Sequence, residues 1–123
     1  MTVLILPNDW FSCIVELGVD TSKPGIYQWE IDGAGIYIGK YTHFSRPLRE
    51  YERNVLKMLT GRPYRPKKPD AWRRIHRELY AALTDGRAIK LTILENCSSE
   101  QLAARERQLI AERGTLNGRM PSN

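Results

Sequence analysis

Two short strings, Gly25-Ile26-Tyr27 and Tyr37-Ile38-Gly39, stand in tandem with nine residues between them and constrain this chain more than any other part of it. Between them lies Asp32-Gly33 followed by Ala34-Gly35, which is turn chemistry, because Asp-Gly readily supplies the left-handed backbone that a tight hairpin connection needs. Apolar and polar residues alternate loosely from Gly25 to Ile31, and Ile36 to Tyr41 is rich in β-formers. The expectation is a β-hairpin with a tyrosine beside a glycine in each arm.

The remaining elements follow from periodicity and punctuation. Asn8 or Asp9 can cap a short helix through Val15 to Leu17, a front piece expected to pack on the sheet. After the hairpin, Ser45-Arg46-Pro47 reads as a helix start with proline in the first turn, where its missing N–H does no harm. Leu48, Tyr51, Val55, Met58 and Leu59 then recur at helical spacing up to Gly61. Residues 62–69 hold three prolines, Tyr64 and four basic residues, which predicts an exposed basic loop without regular structure. Asp70 reads as the cap of a second helix whose face is Trp72, Ile75, Leu79 and Leu83, closed by Asp85-Gly86. Ile89, Leu91 and Ile93 alternate as a third strand. Ser98 and Gln101 have capping-box spacing for a last helix through Leu102, Leu109 and Ile110 to Gly114, with a frayed tail after Asn117. The order predicts one α/β (α+β) domain over residues 1–123, with residues 1–23 as an N-terminal extension and a small, mostly antiparallel sheet flanked by helices. A chain of 123 residues has room for one such core and no second full domain.

Charge narrows the partners. The net charge is +5, but residues 46–77 carry eleven Lys and Arg against Glu50, Glu52 and Asp70, which leaves +8 there and −3 elsewhere. Arg49, Arg53 and Lys57 repeat every four residues and form one stripe along the first long helix, beside the basic loop. That is a footprint for a phosphate backbone, with Tyr64 and Trp72 as possible stacking groups; the bland alternative is a solvated helix face with two packing aromatics. No stretch approaches the about 20 apolar residues needed to span a bilayer. The apolar run Val3 to Leu6 is interrupted by Pro7-Asn8-Asp9 and lacks a preceding basic region, unlike a signal peptide. Cys13 and Cys97 have neither zinc-ligand nor disulfide-framework spacing, and together these features predict a protein of the reducing cytoplasm with no membrane partner.

Three residues stand out chemically. Glu106 falls in the apolar stripe of the last helix, four residues after Leu102 and just before Leu109 and Ile110. A carboxylate there must sit at the rim, pair with a cation or bind a metal, since an unpaired buried charge is expensive. His76 borders the apolar face of the second helix, where a structural histidine and a phosphate or leaving-group role both remain open, and His43 falls in a surface loop. GxSxG and Walker-type glycine loops are absent, which leaves acyl-hydrolase and NTPase readings without support.

With the tandem strings, an arginine-rich helix after them and a late Glu followed by Asn, the chain from about Pro24 to Asn117 resembles the GIY-YIG nuclease domains. The resemblance implies a small three-stranded antiparallel sheet flanked by helices, and cleavage of phosphodiester bonds in DNA with one divalent metal ion. It implies that Tyr27 and Tyr37 point phenols into the site and that one of them orients or deprotonates the attacking water. Glu106 resembles the family's metal ligand, for which a hard oxygen donor suits Mg²⁺ or Mn²⁺. Asn117 matches an asparagine that helps hold the site together, Gly39 lets backbone approach closely, and Lys40 resembles a lysine found there in some members. The family's arginine position is occupied by Pro47, with Arg46 and Arg49 on either side, and a guanidinium is needed for forked donation to phosphate. Tyr51 resembles an aromatic group one turn further on, and His76 is a second candidate for it. Nucleic acid would be held by Lys40, Arg53, Lys57, Arg62, Arg65, Lys67, Lys68, Arg73 and His76.

The leading expectation is therefore a metal-dependent endonuclease whose target choice comes from its own basic surfaces or from a partner. A structure-specific nuclease, a non-catalytic nucleic-acid-binding module of the same fold and a purely structural protein are the alternatives. Cutting both strands of a duplex would take a dimer or two sequential nicks, and the oligomeric state is open.

Overall fold

The structure is a computed structural model, and residues 10–118 are described. A four-stranded sheet, with strands β1 Ser12–Val15, β2 Gly25–Ile31, β3 Gly35–Tyr41 and β4 Ile89–Asn96 in the order β1-β4-β2-β3, carries three helices, α1 Ser45–Leu59, α2 Arg74–Asp85 and α3 Leu102–Arg113. The expected hairpin is present. β2 and β3 pair antiparallel, with Gly25 opposite Tyr41, Tyr27 opposite Gly39 and Trp29 opposite Tyr37. β4 joins the other side of β2, also antiparallel.

The expected three-stranded antiparallel sheet is corrected to a mixed one. Ser12–Val15, read from sequence as part of a short helix, is an edge strand parallel to β4. Cys13-Ile14-Val15 is rich in residues that favour extended backbone, and the ladder to β4 satisfies main-chain groups that a two-turn helix would have left at its ends. Asn8 and Asp9 lie outside the described residues, as does residue 119 onward, where fraying was expected. The front piece does pack on the sheet, because Trp10 is buried and stacks on Trp29 at 5.8 Å with Phe11 edge-on at 5.0 Å.

Strand alternation sends the apolar residues of the sheet to two cores. Tyr27, Trp29, Ile31 and Tyr37 face α1 and α2, meeting Tyr51, Val55, Ile75 and Leu79. Ile26 and Ile38 face the opposite way and are covered by Leu102 and Leu109 of α3. Trp29, Ile38, Leu79 and Leu91 are wholly buried.

Helix ends follow the sequence in part. α2 stops at Gly86, which adopts the left-handed φ of 70° that glycine accommodates without cost. Its start differs from expectation, because the N-cap is Arg73 and not Asp70, and the ring Nδ1 of His76 accepts the Arg73 backbone N–H at 3.3 Å. α3 likewise lacks a side-chain cap: its N-cap is Gln101, and Ser98 contributes its carbonyl to the amides of Gln101 and Leu102. The loop 62–69 is exposed apart from the half-buried Tyr64 but is not unstructured. Arg65-Pro66-Lys67-Lys68 closes a turn in which the Lys68 amide donates to the Arg65 carbonyl at 3.1 Å, and the Tyr64 amide donates to the Pro69 carbonyl at 3.0 Å.

Candidate active site

Gly39 is where the two sheet faces communicate. A Cβ built at Gly39 would overlap the Tyr27 ring, so the tyrosine of the first string lies flat over the glycine opposite it. The same relation recurs two pairs along, where a Cβ at Gly25 would come within 2.8 Å of the Tyr41 hydroxyl. The glycines of the two strings are therefore steric complements of tyrosines across the hairpin. β4 adds a bulge opposite Ile26 and Tyr27, a distortion that re-aims a neighbouring side chain.

Around this point lies a cavity of about 210 Å³, lined by Tyr27, Tyr37 and Lys40 from the hairpin, Arg46, Glu50 and Tyr51 from α1, Arg73 from the start of α2, and Glu106 from α3. The residues come from both faces of the sheet because β3 is an edge strand and Gly39 has no side chain to separate them. Tyr27 and Tyr51 share a buried hydrogen bond between their hydroxyls at 2.6 Å. Burial pushes both phenols well above their ordinary pKa, reinforced in each by the neighbouring Tyr37, and both stay protonated at neutral pH. Tyr37 is differently placed. Its oxygen accepts a hydrogen bond from the Arg73 guanidinium, whose carbon lies 5.5 Å from the centroid of the same ring. Burial disfavours the Arg73 charge, but the surrounding phenols of Tyr37, Tyr51 and Tyr27 overcome this and hold its pKa above the ordinary value.

Glu106 sits at the rim, as its place on the stripe requires, with a side chain one-fifth exposed and an ion pair to Lys40 at 3.5 Å. Next to it on α3, Arg105 grips Glu95 of β4 with two hydrogen bonds of 2.8 and 2.9 Å, which fixes the register of the helix on the sheet. That forked contact holds the Glu95 carboxyl below the usual carboxylate range. Asn117 does not enter this cavity. Its amide oxygen accepts the Ile38 N–H at 2.9 Å and its amide nitrogen donates to the Ile38 carbonyl at 2.8 Å, so it clamps the outer edge of β3 one residue from Gly39. Thr115 and Leu116 do the same at Ile36.

Of the two arginines flanking Pro47, Arg46 lines the cavity and Arg49 does not. Arg46 is held by Glu50 one turn along at 3.2 Å. Arg49 faces a neighbouring groove of about 470 Å³ together with Arg53, Lys57, Tyr64 and Arg65, and Arg46 and Glu50 line both spaces. The basic stripe of α1 is thus one wall of a groove that opens into the cavity. Arg62 lies against a separate depression with Met58 and Trp72, and Lys67 and Lys68 are exposed at the tip of the loop.

His76, one of the sequence candidates for phosphate contact, is wholly buried. Its Nδ1 faces the Arg73 amide, its Nε2 lies 3.2 Å from the Asn54 side-chain nitrogen, and Tyr51, Tyr64 and Trp72 surround the ring. Burial, helped by the Arg73 charge, lowers its pKa to about 4. This is a structural histidine that seats α2, and Tyr64 and Trp72 are packing groups whose centroids lie 4.9 Å apart.

Glu50 and the place of Arg73 inside the cavity were not foreseen. An acid one turn after Arg46, within an otherwise basic stripe, was the available signal for the first. For Arg73 there was none, because its approach to Tyr37 depends on the path of a loop between two helices.

Glu106 and Glu50 are the carboxylates of the cavity, each paired with a cation of the chain, and no group of three or more His, Cys, Asp or Glu side chains suited to a metal occurs among the described residues. No helix among them is long and apolar enough to cross a membrane. Residues at the N-terminal ends of α1 and α2, Arg46, Pro47 and Arg73, line the cavity, and neither helix carries an acid in its first turn. No protein-family model, no curated protein and no solved structure matches the chain.

Proposed function

We propose that this chain is a metal-dependent endonuclease of the GIY-YIG type that hydrolyses phosphodiester bonds in DNA. The observation carrying this reading is the convergence, in one small cavity at the positive ends of two helices, of Tyr27, Tyr37, Arg46 and Glu106 from four separate elements. In the proposed reaction water adds to phosphorus, the bond to the leaving sugar oxygen breaks, and the proton released by water ends on that oxygen.

Within this scheme Tyr37 is the phenol that faces the attacking water. Its oxygen already accepts from Arg73, which leaves its own O–H to donate into the cavity, whereas the Tyr27 hydroxyl is engaged with Tyr51. Tyr27 supports the site and shapes its floor. Arg46 exchanges Glu50 for a phosphate oxygen, and its forked donors hold the scissile group against the helix N-termini. Glu106 would hold one Mg²⁺ or Mn²⁺, with Lys40 giving up its ion pair to the carboxylate and turning to a phosphate. When bound, the metal would neutralise charge on the phosphate and the leaving oxygen.

The test is a cleavage assay on supercoiled plasmid, linear duplex, branched and single-stranded DNA, with Mg²⁺, with Mn²⁺ and with chelator. Glu106→Ala is expected to abolish cleavage and to leave salt-sensitive binding in place. Wild-type protein that binds DNA yet never nicks any of these with either metal refutes the enzyme reading. It would instead support a non-catalytic nucleic-acid-binding module, a reading favoured by one observation, the pairing of both cavity carboxylates with cations of the chain itself.

A further inference from the structure

The cavity opens on two sides. Toward α1 it shares Arg46 and Glu50 with the groove that holds Arg49, Arg53 and Lys57. Toward α2 it shares Tyr37 and Arg73 with a larger cleft of about 730 Å³. Trp72, Arg74, Arg77 and Asn117 complete the walls of that cleft, and Glu78 is the one acid in it. The three spaces are joined in a row, with the candidate reacting groups in the middle. Basic side chains outnumber acidic ones at both ends, Glu106 belongs to the middle alone, and Glu50 is shared with the α1 groove.

We propose that the α2 cleft is the second arm of a substrate track, holding the sugar–phosphate backbone on the opposite side of the cleaved bond from the α1 groove. This rests on the endonuclease reading above and extends it. An internal phosphodiester has chain on both sides, so a site that cuts within a strand must provide two exits. Arg74 and Arg77 serve the second exit. Arg77 is exposed and spends one donor on the Asp70 carbonyl at 3.1 Å, and Arg74 makes only a long contact, 3.5 Å, to the Thr115 carbonyl. The Arg74 Nε is buried without a partner among the described residues. Both guanidiniums keep donors for phosphate oxygens. Asn117, by clamping β3, fixes the wall that faces them.

The experiment uses wild-type protein in the presence of chelator, so that binding is read without cleavage. A single strand of about eight nucleotides, within the span such grooves accept, carries a nitroxide at its 5′ or its 3′ end, and amide broadening is followed by NMR. A label at one end is expected to broaden the amides of Arg49 to Lys57, and a label at the other end those of Trp72 to Arg77. Both labels broadening the same arm, or neither reaching α2, overturns the proposal.

The paired variant Arg74→Gln/Arg77→Gln is expected to lower the dependence of log affinity on log salt by about 1.4, two phosphate contacts at about 0.7 each for single strands. The control pair Lys23→Gln/Arg107→Gln, outside all three spaces, removes equal charge and should change it little. Equal effects of the two pairs also overturn the proposal. Two-ended broadening in a protein that fails to cleave with metal would refute the nuclease and retain the track. Cleavage with broadening confined to α1 would do the reverse, and no binding to any strand refutes both.

Discussion

Protonation of His76 is expected to destabilise the fold by an amount that can be worked from its surroundings. The ring is wholly buried among Tyr51, Tyr64 and Trp72 and lies next to the Arg73 charge, which lowers its pKa from 6.5 to about 4. In the unfolded chain the imidazole binds a proton near pH 6.5, whereas the folded chain resists it until about pH 4. Between those values the unfolded state carries the extra proton, so stability rises with pH. The contribution is fully present above pH 6.5 and is lost as pH falls toward 4. About 2.5 units at 1.36 kcal/mol each gives a loss of about 3 kcal/mol, a large share of the roughly 5–15 kcal/mol that holds a domain together. Urea unfolding followed by the fluorescence of the buried Trp29, at half-unit intervals from pH 4.5 to 7.5, measures it. The variant His76→Gln is the comparison, because Glu95 and the other carboxylates titrate alike in both proteins and cancel. The stability difference between wild type and variant should shrink by about 1.4 kcal/mol for each pH unit below 6.5. Parallel curves would refute the account and mean that His76 titrates in the native protein as it does in the unfolded chain.

Three further outcomes follow from the site. Gly39→Ala must displace the Tyr27 ring, so a thermal or urea melt should show a loss of about 1–3 kcal/mol together with reduced cleavage. Tyr27→Phe and Tyr51→Phe should each cost about 1 kcal/mol, and the double variant little more than either, because they break one shared hydrogen bond; additive losses would argue against that bond. Arg46→Gln should reduce kcat for cleavage at least about tenfold more than Arg49→Gln, which should act chiefly on KM and salt dependence.

What could be read from the sequence was what depends on near neighbours. Asp32-Gly33 and the two alternating runs placed the hairpin, and helical spacing placed Tyr51 and Val55 on the buried side of α1. Glu106 was legible as an anomaly because a carboxylate on an apolar stripe needs a reason, and its rim position beside Lys40 supplies one. The parallel β1–β4 pairing was not legible: it joins Cys13 to Leu91, and the four-residue segment has no period long enough to separate strand from helix. The cap of α2 was misplaced for a related reason. Asp70 has the chemistry of a cap, but burying His76 under Tyr64 and Trp72 sets the helix start at Arg73, and tertiary packing outweighed the local preference. Arg46 lines the cavity and Arg49 does not, a difference of about one helical turn that depends on the helix start at Ser45 and has no marker in the sequence.

The clamp of Asn117 on Ile38 ties together positions 79 residues apart, and it and α3 close over a hairpin that is made early in synthesis. A ribosome-bound chain that has released both tyrosines and every basic residue of the α1 groove still lacks Glu106 and still shows an unsealed β3 edge. Any chemistry seated in this cavity is therefore withheld from nascent chains, and from fragments cut short before α3.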